Sequence, residues 1–377
     1  MAQKVRVMRL WTWILVVAVS VLTGCNGFFV APNNSGGGGS TTGNSAYVAN
    51  FANNTVAGFT VGTGNLTAVP NSPLSVGYAP TAVVATPTNS FLYVAGPGAI
   101  YVYTINANGS LSASTGGAAV AIVNVVALDI SPDGNWLFGL DGATTVIDQF
   151  QINKSSGNLT SVTPTPYSVT NAVVAPKDIR VSPSGALVFA ALGTGGDVVF
   201  TFNTTSGALA GSQNLAPPSA TTSDNGLAID STSTYLYIAR SGTNGGVGVF
   251  SIGAAGKLTS VTGSPFAAGN GPASVVLDST GTHVYVANST DGTISGYTIG
   301  TGAALTAVTG SPFASGKLVN SLGIDKSGKY LLAASRGGSP DLSMYGFDAV
   351  TAGKLNLVTS TATGTGTTGA IAVALTH

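Results

Sequence analysis

Glutamate is absent from this chain, and charge of either sign is scarce: Asp, Glu, Lys and Arg together make up 7% of 377 residues. The 13 Lys and Arg form no basic stripe, which argues against a nucleic-acid-binding surface. Cysteine occurs once, at position 25, so no internal disulfide can staple the fold. Histidine occurs only as His283 and His377. No His/Asp/Cys spacing resembles a metal-ligand set, and a nucleophilic triad would lack a placed base, so no metal and no cofactor are expected. No long stretch has helical periodicity, so little helix is expected. After the N-terminal apolar run there is no second run of 18 apolar residues, which excludes a later membrane-spanning helix.

What the chain has in quantity is glycine and short β-forming runs. The stretch 273–308 contains ASVVLD, HVYVAN, TISGYTI and ALTAV in order, separated by STGT, STDG and GTGA. Val, Ile, Tyr and Thr bounded by Gly/Ser/Asp/Asn turns signal consecutive hairpins, here a four-stranded antiparallel meander. The second run recurs as AYVAN (46–50), FLYVA (91–95), WLFGL (136–140), ALVFA (186–190), YLYIA (235–239), HVYVA (283–287) and YLLAA (330–334). The preceding turn recurs as SPDGN, SPSGA, DSTST, DSTGT and DKSGK, with TPTNS a weaker copy. The fourth run starts at a Leu soon after a Gly, at Leu66, Leu111, Leu159, Leu209, Leu258, Leu305 and Leu355, separated by 45 to 50 residues. Three features sharing one period of that length predict an all-β, seven-bladed β-propeller with four antiparallel strands per blade. The first copy lacks an inner strand, while GAIAVALTH (369–377) is an inner-strand pattern without a blade of its own. The C-terminal strand 370–376 is therefore expected to close the ring in the N-terminal blade, leaving no open stack edge.

Three segments are expected along the chain. Residues 1–25 read as an export signal, with Lys4, Arg6 and Arg9 before a 13-residue apolar core, Leu10 to Leu22. Its end, Leu22-Thr23-Gly24-Cys25, resembles the bacterial lipobox. That resemblance implies cleavage before Cys25 and lipidation of its thiol, and Asn26 at the next position implies an outer-membrane destination. Residues 26–45 read as a Gly/Ser-rich flexible linker, and residues 46–377 as the propeller. Without the signal, 10 bases face 13 acids, all of them Asp.

In such a ring, the loops entering inner strands and those joining second to third strands gather at one face around the channel. Polar candidates at that face are Asn50, Lys177, Asp178, Arg180, Asp197, Asp224, Arg240, Asn288, Asp291, Arg336 and Asp341. Turn chemistry alone accounts for an Asp-Gly pair such as Asp291-Gly292. The cations are rarer and more informative. Lys177 and Arg180 flank the start of an inner strand, and Arg240 and Arg336 directly follow second-strand cores. Together they could hold a carboxylate or phosphate; alternatively each is a solvated loop cation or the partner of a nearby Asp. The motifs Ser264-Pro265-Phe266 and Ser311-Pro312-Phe313 read as packing elements between blades.

The YVAN and SPDG motifs, the G-x-L step and the seven copies resemble the lactonase-type seven-bladed β-propeller family over residues 46–377. That family includes 6-phosphogluconolactonases, carboxymuconate-lactonising enzymes and YVTN-repeat proteins. The resemblance implies the propeller fold; activity does not follow from fold. Its closest local match is APKDIRVSPSGALVFAALGTGGDVVFTF (175–202), where Asp197 maps onto a family Asp and Lys177 stands where the enzymes carry His. Farther on, Asn225-Gly226 replaces an Arg-His pair, Ser241 a Glu, and Ser274 and Ser289 an acid and an Arg. With the enzymes' His, Glu and Arg largely absent, the expected role is a lipid-anchored binding or scaffold module of the cell envelope, monomeric, taking a small anionic or sugar-derived ligand or a protein partner. The alternative is a hydrolase of a sugar lactone.

Overall fold

The structure, a computed structural model, describes residues 43–169, 174–366 and 369–377. The expected signal segment, Cys25 and the linker up to residue 42 lie outside the described residues. Seven antiparallel sheets form the blades of a propeller, each with four main strands in the order inner to outer. The inner strands of blades 1 to 7 are Ala370–Leu375, Ala82–Ala85, Val125–Ile130, Asp178–Val181, Ser223–Ile229, Pro272–Leu277 and Val319–Ile324. The second strands are Ser45–Asn50, Phe91–Gly96, Trp136–Asp141, Leu187–Ala191, Tyr235–Ser241, His283–Asn288 and Tyr330–Ser335. Helix among the described residues is limited to two short 3-10 turns, Ala254–Gly256 and Thr301–Ala303.

Packing explains the apolar texture of the repeat. Second strands lie between two neighbouring blades and are buried on both faces, so they read as continuous apolar runs. Phe138, Leu140 and Ile147 of blade 3, for example, pack on Ile179, Val188 and Phe200 of blade 4. Each such side chain contributes about 1.5–3 kcal/mol when fully buried. The tyrosine of the second strand also has a polar task. Tyr47, Tyr93 and Tyr285 donate their hydroxyls to the carbonyls of Gly109, Gly157 and Gly353 in the next blade, each at 2.8 Å. These are the glycines of the G-x-L step. Gly157 has a φ of +74°, and a Cβ there would meet Phe91 at 2.9 Å, so both its conformation and its space require glycine.

The repeated turn before the second strand is a side-chain cap. Thr86, Ser131 and Ser182 accept the backbone N–H of Phe91, Trp136 and Leu187 at 3.0 Å. Asp230 and Asp325 accept those of Tyr235 and Tyr330 at 2.6 Å. A hydroxyl or carboxylate at the turn's first residue thus satisfies a donor that the hairpin leaves unpaired.

Ring closure occurs as expected. Ala370–Leu375 pairs antiparallel with Ser45–Asn50, from Ala46↔Leu375 to Asn50↔Ala370. Ser45 N donates to Thr376 Oγ1 at 2.8 Å, and Asn89 brackets the His377 backbone through two 2.8 Å bonds. Blades 1, 3 and 6 each carry a short extra strand, Leu74–Ser75, Thr165–Pro166 and Phe313–Ala314, folded back on the third strand. The Ser-Pro-Phe motifs serve such folding back. Ser264 and Ser311 accept the N–H of Val249 and Gly296 at 2.8 and 2.9 Å, and Phe313 enters the core shared with blade 7.

Candidate functional site

Inner strands have one edge without a strand partner, because the next blade's inner strand is too splayed to pair. Side chains from the preceding blade bond that edge instead. Asp129 Oδ2 accepts Val181 N at 2.7 Å, and Asp178 Oδ2 accepts Leu227 N at 2.9 Å. Ser274 and Ser321 do the same for Leu322 and Val373 at 3.2 and 3.1 Å. Asp178 and Ser274 are therefore stitches around the channel. Arg180 lies among these carboxylates, with Nη2 3.4 Å from Asp178 Oδ2 and Nε donating to Leu227 O at 3.3 Å. Its side chain is 41% exposed. Burial pushes the Asp129 and Asp178 carboxyls up despite the opposing charge of Arg180. Arg180 is itself held up: burial works against its charge, and Asp178 and Asp129 outweigh burial. Asp129 escaped the sequence reading. Aligning the SP turns would have found it, because Asp129 and Arg180 both stand two residues before the turn serine.

A second charge group lies between blades 4 and 5. Arg240 ends its strand core buried, with Nε 2.7 Å from Asp224 Oδ1 and Nη2 3.2 Å from Asp224 Oδ2 and 3.4 Å from Asp197 Oδ2. The guanidinium lies 5.0 Å from the Phe250 ring centroid. Gly248 makes this possible, since a Cβ there would stand 3.0 Å from the guanidinium carbon. One cation between two buried carboxylates leaves an excess negative charge. The burial of Asp197, and then the Asp224 charge beside it, push the Asp197 carboxyl well above the ordinary range. Arg240 and Asp224 form the closer ion pair, and Asp197, touching the cation at 3.4 Å, is the carboxyl that takes up a proton more readily.

The other candidates do not join these groups. Lys177 is exposed. Arg336 is exposed and sits over Phe51, 5.8 Å from its ring centroid, across the junction of blades 7 and 1. Asn50 and Asp341 are tied together through Thr363, whose Oγ1 is 2.8 Å from both. Asn288 is buried and donates to Thr293 Oγ1 and Ser295 Oγ at 3.0 and 2.9 Å. Asp291 lies at the surface and accepts from Asn270 N at 2.6 Å. Both histidines stand at the opposite face, His283 at the start of a second strand and His377 after the inner strand of blade 1.

The family described as lactonase, 7-bladed β-propeller, matches residues 198–317. The chain resembles the lactonase-type seven-bladed β-propellers in sequence as well as in fold. A Bacteroides uniformis structure assigned as a 6-phosphogluconolactonase superposes with a TM-score of 0.71 at 17% identity, covering 88% of this chain and 99% of its own. The periplasmic gluconolactonase PpgL of Pseudomonas aeruginosa gives 0.65 at 15% identity, over 89% and 99% of the two chains. A Desulfotomaculum acetoxidans protein described as functionally unknown gives 0.67 at 15%, again over 89% and 99%. No curated protein matches the chain. At these identities the shared property is the fold. Within this lactonase-like propeller, the channel face of the described residues offers the exposed cations Lys177, Lys317 and Arg336, and two carboxylate-bound ones, Arg180 and Arg240.

Proposed function

We propose that this lactonase-like propeller is a binding module of the cell envelope, anchored through lipid on Cys25 and contacting a small anionic ligand or partner at the channel face near Lys177 and Arg336. The supporting observation is the state of Arg240. A guanidinium held by Asp224 and Asp197 in the interior has no capacity left to clamp a developing carboxylate. Neither histidine stands at the mouth to serve as a base, because both lie at the other face.

A second reading, hydrolysis of a sugar lactone, has its own support in the family match over 198–317 and the likeness to a periplasmic gluconolactonase. In that reading Arg180 is the clamp, and Asp178 or Asp129, their carboxyls raised by burial, is the base. One assay separates the two. The full chain is incubated with gluconolactone and 6-phosphogluconolactone, and acid release is compared with the spontaneous rate in wild type, Lys177→Ala and Arg180→Met. The binding module gives the spontaneous rate in all three. Turnover well above it, lost in Arg180→Met with the fold intact, establishes the hydrolase instead.

A further inference from the structure

At the face opposite the channel mouth, the first residue of the second strand in blades 2, 3, 4, 6 and 7 wedges against a turn of the next blade. A Cβ on Gly157 would meet Phe91, one on Gly207 would meet Trp136, and one on Gly256 would meet Leu187. Trp136 adds a 2.9 Å bond from Nε1 to Thr204 O, and the Tyr330 hydroxyl accepts Gly64 N at 3.0 Å. In blade 6 the wedge is His283, set against Gly353. Beside this smaller ring a cleft of about 250 Å³ opens between blades 6 and 7. Ser279, Thr280 and Thr282 line one wall, and Phe347 and Gly353 the other.

Asp278 fixes the imidazole, with Oδ2 2.9 Å from Nδ1. Its Oδ1 meanwhile caps the turn, accepting the N–H groups of Thr282 and His283 at 2.8 and 3.1 Å. The cap does not need a histidine, because Asp230 and Asp325 make it for Tyr235 and Tyr330. Burial alone would raise the Asp278 carboxyl, but bonds from His283, Thr280 and the turn backbone outweigh it and hold the group low. The 2.9 Å contact with the carboxylate places a proton on Nδ1, so the acceptor nitrogen of the neutral imidazole form is Nε2. Among the described residues Nε2 makes no hydrogen bond; the ring's polar contacts run through Nδ1.

We infer that the Asp278–His283 cleft is a second binding site, distinct from the channel mouth, for a hydroxylated molecule of monosaccharide size that donates a hydroxyl to His283 Nε2 and lays its apolar face on Phe347. The volume lies just below the usual range for small-molecule pockets, about 300–1,000 Å³, and so suits a single ring. An aromatic wall facing side-chain hydroxyls and one oriented acceptor matches a polyol, which carries apolar C–H faces and donor hydroxyls together.

With two histidines in the chain, imidazole NMR of the full-length protein reads the site directly. Methyl glucoside is titrated, with inorganic phosphate as the anionic comparison. The expected result is a saturable shift of the His283 resonances with the glucoside, an unmoved His377, and no change in Lys177→Ala. His283→Tyr introduces the wedge residue of blade 7, Tyr330. It should retain the melting temperature and weaken glucoside binding, read by ligand-observed saturation transfer, at least about tenfold. His283→Phe is the replacement should the tyrosine variant fail to fold. Unmoved His283 resonances, a response to phosphate alone, or undiminished binding in the folded aromatic variant would overturn the assignment.

Discussion

Replacing Arg240 by Met tests whether one buried cation holds two carboxyls at the junction of blades 4 and 5. Met keeps most of the apolar stem and removes the guanidinium, with it the cation–π contact on the Phe250 ring, about 0.5–2 kcal/mol. What remains is Asp224, fully buried, without the 2.7 and 3.2 Å bonds that compensate its charge. Breaking a buried pair from one side costs about 3–5 kcal/mol. For a domain of this size that corresponds to a loss of about 5–10 °C in melting temperature. Asp224→Asn should cost less, since Asp197, relieved of its neighbour's charge, remains beside the cation. Asp197→Asn should behave differently. Its carboxyl is raised by burial and by Asp224 and makes only a 3.4 Å contact with Arg240, so a neutral amide there costs little. The raised group also sets a sign. Stability contributed by Asp197 is present below the unfolded carboxylate pKa and declines as pH rises, and the asparagine variant should lose that decline. The double variant Arg240→Met/Asp224→Asn should recover much of either single loss, because no uncompensated charge remains. The assay is urea unfolding of each variant at pH 5 and pH 7. An Arg240→Met loss under about 1 kcal/mol, or Asp197→Asn as damaging as Asp224→Asn, refutes this charge assignment.

Two further outcomes follow from single residues. Burial, reinforced by the negative charge of Asp141, pushes the Asp148 carboxyl from 3.8 up to about 6, and its Oδ2 has no partner in the structure. The folded state therefore binds this proton more tightly than the unfolded chain. Its contribution is full below about pH 4 and lost as pH rises through about 6. Asp148→Asn should then stabilise the protein by about 1–2 kcal/mol at pH 8 and by little at pH 4, the full shift being discounted for solvent screening; equal effects at both pH values in denaturant titrations would contradict it. In a bacterial host supplied with labelled palmitate, the wild-type chain should take up label and Cys25→Ala should not, with release of the variant from the membrane fraction. Label retained by the variant would exclude this cysteine as the anchor.

The architecture was legible in the sequence because a propeller repeats its local chemistry. Each blade reuses a turn whose first hydroxyl or carboxylate caps the second strand, as at Ser131, Asp230 and Asp325. The G-x-L steps at Gly157, Gly207, Gly256 and Gly353 reuse a glycine that the preceding blade packs against, while blade 6 carries Ala303 at that position. Such signals span a few residues, so a period of 45 to 50 could be counted, and the orphan strand at the C-terminus identified the closure. The charge pattern of the channel face was less legible. Arg240, a candidate cation in the sequence, is neutralised by Asp224 at 16 residues' separation and touched by Asp197 at 43. Asp129 is set near Arg180 only by the stacking of blades 3 and 4, and its carboxylate reaches Val181 across 52 residues. The His283 cleft likewise depends on the next blade's Phe347 and Gly353. Strand, turn and period are determined by neighbours along the chain, whereas which charges cancel and which surfaces stay open depends on contacts made a whole blade away.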